Sequence, residues 1–209
     1  CISRAVREID EEVVFLASGD LSHRLSHDGP YGYSKSGKEF DGMLVESLEK
    51  LDVERLLKVD ESFCEKAGEC GLRSFIMMFG ALDGCGLSSE VYSYEGPFGV
   101  GYSIARFEAH GLDTERNIFE KYGKELMEKT AQIRKNESPY VRLARDSLET
   151  YVKEGRIIGV PSWVPDEMLE NKAGVFVSIK KSGKLRGCIG TIAPERGNIA
   201  WEIIYNAVS

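Results

Sequence analysis

At 209 residues, with 42% hydrophobic and 29% charged side chains, the chain is long enough for one or two domains and apolar enough to bury a core. Its net charge of -7 is spread over 27 basic and 34 acidic residues without a basic cluster, which argues against direct contact with nucleic acid. No apolar run approaches the ~20 residues of a membrane span, and residues 1–4 do not resemble a signal peptide, so neither a membrane span nor a secretory leader is expected.

The five cysteines (Cys1, Cys64, Cys70, Cys85, Cys188) are unevenly spaced and form no C-x-x-C pair, which predicts a reducing, cytoplasmic setting. The chain opens on Cys1 inside a helix-like pattern (Arg4, Ala5, Val6, Arg7, Glu8, Ile9) and stops at Ser209 straight after an amphipathic run at 199–208. Both ends therefore read as cuts in a longer protein.

Residues 13–17 (Val13, Val14, Phe15, Leu16, Ala17) form a short apolar run rich in β-formers, which predicts a buried, parallel strand. It leads into Ser18, Gly19, Asp20, Leu21, Ser22 and His23, at the sheet end where α/β folds place their chemistry. A loop rich in glycine and aromatic residues follows at 28–33, then helical patterning over 38–50. Asp52 is positioned to cap a shorter helix, and another is expected over 60–67. Residues 71–82 are apolar nearly all round and predict a buried helix, followed by alternating strands at 91–94 and 100–107.

Charge dominates from 113 to 137, the expected linker. Ser138 with Pro139 signals a helix start, and that helix should end at Gly155. Residues 174–180 and 185–191 predict a hairpin turning through Lys181, Ser182, Gly183 and Lys184. The expected organisation is an α/β module at 1–110, a charged, partly helical linker at 111–137, and an α+β module at 138–209.

Among residues able to carry chemistry, His23 at a sheet edge can titrate or ligate a metal, or it can simply cap the loop. His27 lies four residues on, but Pro30 and the neighbouring glycines oppose a helical zinc pair. Glu69 and Cys70 precede the 71–82 helix, where an anion is favoured; Glu69 can equally be a capping acid and Cys70 a small buried residue. Gly99, Val100 and Gly101 do not make a dinucleotide loop, because Ile104 stands where the third glycine should be. Cys188, in Leu185, Arg186, Gly187, Cys188, Ile189, Gly190, reads as inert strand core; with Arg186 on the same face it is also a possible second site.

The first module resembles the LigB-like family of class III extradiol dioxygenases and their Memo-like relatives. The resemblance rests on Ala17 to His23, the 29–33 loop, and Glu69, Cys70, Gly71 leading into Phe79, Gly80, Ala81, Leu82. The second resembles the AMMECR-type domain, through 138–151, 174–180 and above all Leu185 to Thr191. Their pairing is similar to the AmmeMemoRadiSam system family, which implies a Memo-like protein and a radical SAM protein as partners.

The LigB resemblance implies that His23 is the acid/base beside Fe(II), and that Cys70 or Glu69 is one metal ligand. Two further ligand histidines would lie outside the chain. It implies a dioxygenase-type oxidoreductase acting on an aromatic or related small molecule in the full-length protein, with the fragment alone inactive. Two rivals stand beside it: a non-catalytic metal-binding or partner-docking scaffold, and an activity in the AMMECR-type half through Cys188.

Overall fold

The computed structural model describes residues 2–9, 11–181 and 183–209, without the side chains of Arg4 and Arg7. Cys1 of the cysteine set and Ser182 of the expected turn lie outside the described residues. The chain divides into two compact units, Cys1–Leu126 and Met127–Ser209.

In the first unit, α1 (Ile2–Arg7) precedes the segment 11–20, which is neither helix nor strand, and α2 (Lys35–Lys50) supplies the central packing surface. Its apolar positions recur at helical spacing, so Phe40, Leu44 and Leu48 fall on one buried face. The helix ends at Leu51, whose left-handed φ of 56° returns its N–H to the carbonyls of Ser47 and Leu48. Asp52 then accepts from the N–H of Arg55 and starts α3 (Val53–Leu57), while Asp60 accepts from Ser62 and Phe63 and starts α4 (Glu61–Ala67). Each of these caps satisfies backbone donors that a helix start leaves unpaired.

Helix α5 (Leu72–Ala81) buries Leu72, Met78 and Phe79 but leaves Met77 58% exposed, so it is packed on one side and not sunk in the core as its composition suggested. Strands β1 (Cys85–Glu95) and β2 (Tyr102–Leu112) form an antiparallel ribbon. Between them, Phe98 (φ 58°) and Gly99 (φ 81°) are both left-handed and Val100 donates to the carbonyl of Pro97. This is the type I′ arrangement, whose twist matches that of the flanking strands. Phe79 meets Phe107 of β2 edge-on at 5.0 Å between ring centroids, joining the ribbon to a core of Leu21, Phe40, Leu44, Leu48, Val53 and Leu56.

The strand expected at 13–17 is not formed. Phe15 and Ala17 pack against the core, but Val14 is 91% and Leu16 87% exposed. A strand buried on both faces needs neighbours to take its N–H and C=O groups, and among the described residues none pairs with this segment. The sheets are instead two separate antiparallel pairs, so the chain mixes helices with small antiparallel sheets.

Helix α6 (Ile118–Lys135) covers most of the charged segment expected as linker; its Tyr122 hydroxyl donates to the carbonyl of Leu57, and Lys58 pairs with Glu125. In the second unit, α7 (Pro139–Glu154) starts and stops as its caps dictate: the Ser138 hydroxyl accepts from the N–H of Val141, and Gly155 closes the end in the left-handed region. The core contains Leu143, Val164, Met168, Ala200, Ile203 and Ile204, drawn from α7, the loop after it, α8 (Asp166–Glu170) and α9 (Ile199–Asn206). The hairpin is β3 (Phe176–Lys181) and β4 (Lys184–Gly190).

One carboxylate stands inside this second core. Glu202 is 1% exposed and accepts from the Thr191 hydroxyl at 2.6 Å and from the N–H groups of Glu195 and Arg196 at 3.0 and 2.8 Å. Burial pushes its pKa up, but these donors together outweigh that and hold it below the ordinary 4.5. A depressed acid stabilises the fold above its unfolded value and loses that contribution as pH falls through the folded one.

Replacing Glu202 with Gln should therefore cost roughly 1–3 kcal/mol at neutral pH, because donors lose a charged acceptor. It should also flatten the acid limb of stability below the ordinary carboxylate pKa of 4.5. Urea unfolding as a function of pH measures both; equal midpoints for variant and wild type at neutral pH would show that the network contributes nothing.

Candidate functional site

The site is built by segment 20–25, which is held along two sides. On one side Leu21 donates to the carbonyl of Gly101 at 2.9 Å, Gly101 donates to Ser22 at 2.8 Å, and Leu25 donates to Gly99 at 3.0 Å. On the other, His23 donates to Gly68 at 3.3 Å and Cys70 to Asp20 at 3.4 Å, with a bridge between Ser22 and Glu69. Segment 68–70 approaches closely only because two glycines face each other: a Cβ on Gly19 would lie 2.4 Å from the Cα of Gly71. Any side chain at position 19 would wedge the two backbones apart.

This lacing brings Asp20, His23 and Cys70 together. His23 Nε2 lies 3.5 Å from Asp20 Oδ2 and 3.6 Å from Cys70 Sγ, and the three ligand atoms all fall within 4.8 Å of one another. Cys70 Sγ also accepts from the N–H of Asp20 at 3.3 Å. The His23 ring is partly enclosed, with Tyr31 beside it at 5.1 Å between ring centroids. His27 is turned to a different neighbour, Tyr33, at 4.6 Å.

Carboxylate and thiol converge on the same ring nitrogen. A nucleophilic relay needs the opposite, a thiol at one nitrogen and an orienting acid at the other. Convergence of three unlike donors suits a cation instead, since ligands at 2.0–2.3 Å around a tetrahedral ion sit about 3.5 Å apart. Oxygen, nitrogen and sulfur donors at these separations fit a divalent first-row metal, and the thiolate shifts preference toward the softer members.

Glu69 takes no part in this cluster. Its Oε2 accepts from the N–H of Leu72 at 2.8 Å, so it serves the start of α5 as a capping acid, while the adjacent Cys70 faces His23. Asp20 was not among the residues singled out from the sequence. The signal for it was its place three residues before His23, which means little in a loop, where no helical or strand period fixes direction. A further missed residue is Asp41, a carboxylate on the apolar face of α2 between Phe40 and Leu44.

The remaining candidates lie elsewhere. Arg186 and Cys188 are both exposed on β4, and the Ser178 hydroxyl donates to Cys188 Sγ at 3.0 Å, so Cys188 is not the core filler its strand position suggested. A Cβ on Gly187 would meet open space, whereas one on Gly190 would strike the carbonyl of Val175 at 2.2 Å. An apolar cavity of about 600 Å³ lies between segment 13–17, α5 and β2, but none of Asp20, His23 or Cys70 lines it. Among the described residues, no helix is long and apolar enough to cross a membrane.

Cys64 and Cys70, six residues apart, differ in kind. Burial, and then the charges of Glu69 and Asp60, push the Cys64 thiol up to about 11, whereas Cys70 is exposed. Iodoacetamide at neutral pH is therefore expected to modify Cys70 well before Cys64, and Zn(II) should protect Cys70 selectively. Peptide mass mapping reads both; equal labelling of the two, or no protection by zinc, would contradict the cluster's geometry.

The family model described as the catalytic LigB subunit of aromatic ring-opening dioxygenase matches residues 1–105, and the AMMECR1 model matches residues 141–209. A Clostridium acetobutylicum protein is 47% identical over 209 residues, 99% of this chain and 44% of that protein. A Thermotoga maritima protein is 45% identical over 74 residues, covering 35% of this chain and 42% of its own length. A Pyrococcus furiosus protein is 44% identical over 59 residues, covering 26% and 28%. The chain spans less than half the length of these relatives.

Proposed function

Since the chain belongs to the family of the catalytic LigB subunit of aromatic ring-opening dioxygenases and carries an AMMECR1 domain after that match, we propose that its first unit bears the proton-transfer and metal-binding part of a dioxygenase-type oxidoreductase. The observation that carries this reading is the convergence of Asp20, His23 and Cys70 on one point. Asp20 and Cys70 would hold Fe(II), and His23 would serve as acid and base toward a small aromatic or related substrate. Bound there, ferrous iron would supply the centre at which dioxygen and substrate meet.

The chain's own residues do the rest. His23 Nε2 stands between a carboxylate and a thiol, placed to take a proton from a substrate hydroxyl and return it later. Asp20 faces that nitrogen, its Oδ2 3.5 Å away. Tyr31 covers the imidazole on one side and presents an aromatic surface to a planar substrate. The pairing of the two domains supports action alongside a Memo-like protein and a radical SAM protein in the reducing cytoplasm.

The thiolate favours a second reading from another class, a metal-binding or partner-docking scaffold without turnover, because sulfur retains soft ions that do not activate oxygen. Anaerobic Fe(II) titration followed by oxygen-uptake measurement on the full-length protein, which this chain spans in part, separates the two. The enzyme reading expects stoichiometric iron and uptake with a catechol-type substrate. In His23→Ala, iron should bind more weakly, and at saturating iron uptake should still fall by about 10²–10⁴-fold. Uptake unchanged in that variant removes the acid/base role, and iron binding without uptake in the wild type selects the scaffold.

A further inference from the structure

We propose that Asp41 is the positioning residue for His23: a buried carboxylate that clamps the backbone of the preceding residue, Ser22, and so fixes where the imidazole points. The inference rests on the reading of Asp20, His23 and Cys70 as a metal-binding cluster. Asp41 has no exposed surface and stands on α2 between two core side chains, Phe40 and Leu44. A carboxylate in such a place is unfavourable unless its oxygens are hydrogen-bonded. Each has a donor: Oδ1 accepts from the Ser22 N–H at 2.7 Å, and Oδ2 accepts from the Tyr94 hydroxyl at 2.8 Å.

The fit around that carboxylate is tight. A Cβ on Gly101 would lie 2.1 Å from Asp41 Oδ2, so the backbone of 99–101, which also bonds Leu21, Ser22 and Leu25, closes directly over it. Ser22 is thereby held at every polar group. Its N–H goes to Asp41, its carbonyl accepts from Gly101, its hydroxyl donates to the carbonyl of Ala67 at 2.8 Å, and the same oxygen accepts from the N–H of Arg24 at 3.0 Å.

With Ser22 locked and its own N–H bonded to Gly68, His23 has little freedom beyond its two side-chain torsions. Burial raises the pKa of Asp41, while the hydrogen bonds from Tyr94 and Ser22 and the nearby His23 charge oppose that rise. The carboxylate thus lies within electrostatic reach of the cluster it supports, although it does not touch it.

A plain structural role would make the same hydrogen bonds, so the test needs a readout beyond stability. Asp41→Asn keeps the shape and removes the charge. With Co(II) as probe on this chain, the dissociation constant should rise roughly ten- to hundredfold and the thiolate-to-cobalt band should weaken, at unchanged far-ultraviolet circular dichroism. A folded variant whose cobalt affinity and spectrum match the wild type overturns the proposal, whatever its melting temperature.

If Asp41→Asn does not fold, Tyr94→Phe decides, since it frees Oδ2 alone: a rise of about threefold or more supports the proposal, and none overturns it. If the wild type binds no cobalt, the metal reading fails separately. The clamp is then judged by hydrogen exchange at the His23 amide in whichever variant folds. About tenfold faster exchange supports it and an unchanged rate overturns it.

Discussion

The hydrogen atom that stands in place of a side chain on Gly19 decides how near segment 68–70 can come to the loop ahead of His23. The contact is backbone to backbone, with Gly71 on the far side, and Gly71 itself is confined by the Phe75 ring and the carbonyl of Asp20. Everything at the site follows from that approach. It lets Cys70 donate to Asp20 through its N–H while its sulfur accepts from the N–H of the same residue, and it brings the sulfur within 3.6 Å of His23 Nε2.

Among the described residues, each unit buries a carboxylate that fastens a loop, Asp41 in the first and Glu202 in the second, and their pKa shifts have opposite signs. Glu202 receives a hydroxyl and two backbone N–H groups, and these outweigh its burial. Asp41 receives one N–H and one hydroxyl, and burial prevails. Burial opposes ionisation in both and hydrogen bonds favour it; burial prevails at Asp41, while the hydrogen bonds and the Arg196 charge prevail at Glu202. The Tyr94 hydroxyl reflects the same balance from its side, since burial and the Asp41 carboxylate push its pKa well up and keep it a proton donor.

Local chemistry was the most legible part of the sequence. Ser138, Pro139 and Gly155 mark the limits of α7, and Asp52 and Asp60 open the helices their positions predict, because a cap is read from a few adjacent residues. The run at 13–17 was misread because an apolar stretch rich in β-formers specifies a strand only when neighbours exist to pair with it. The cluster was half legible: His23 and Cys70 stood out through motif and type, whereas Asp20 is drawn in by contacts across 50 residues of sequence. Asp41 left one trace, a charge in an apolar helical stripe, which the buried Ser22 N–H and the Tyr94 hydroxyl explain.

The turn that closes the β1–β2 ribbon has a consequence for how the site can move. Phe98 holds a left-handed backbone despite its side chain, next to Gly99, and residues 99–101 run from that turn straight into the hydrogen bonds that hold segment 20–25. In kinematic terms the turn is a pin more than a hinge: the left-handed region open to Phe98 is small and leaves it few nearby conformations to rotate into. A displacement of the turn would therefore be felt at the histidine loop, because three backbone hydrogen bonds tie residues 99 and 101 to Leu21, Ser22 and Leu25.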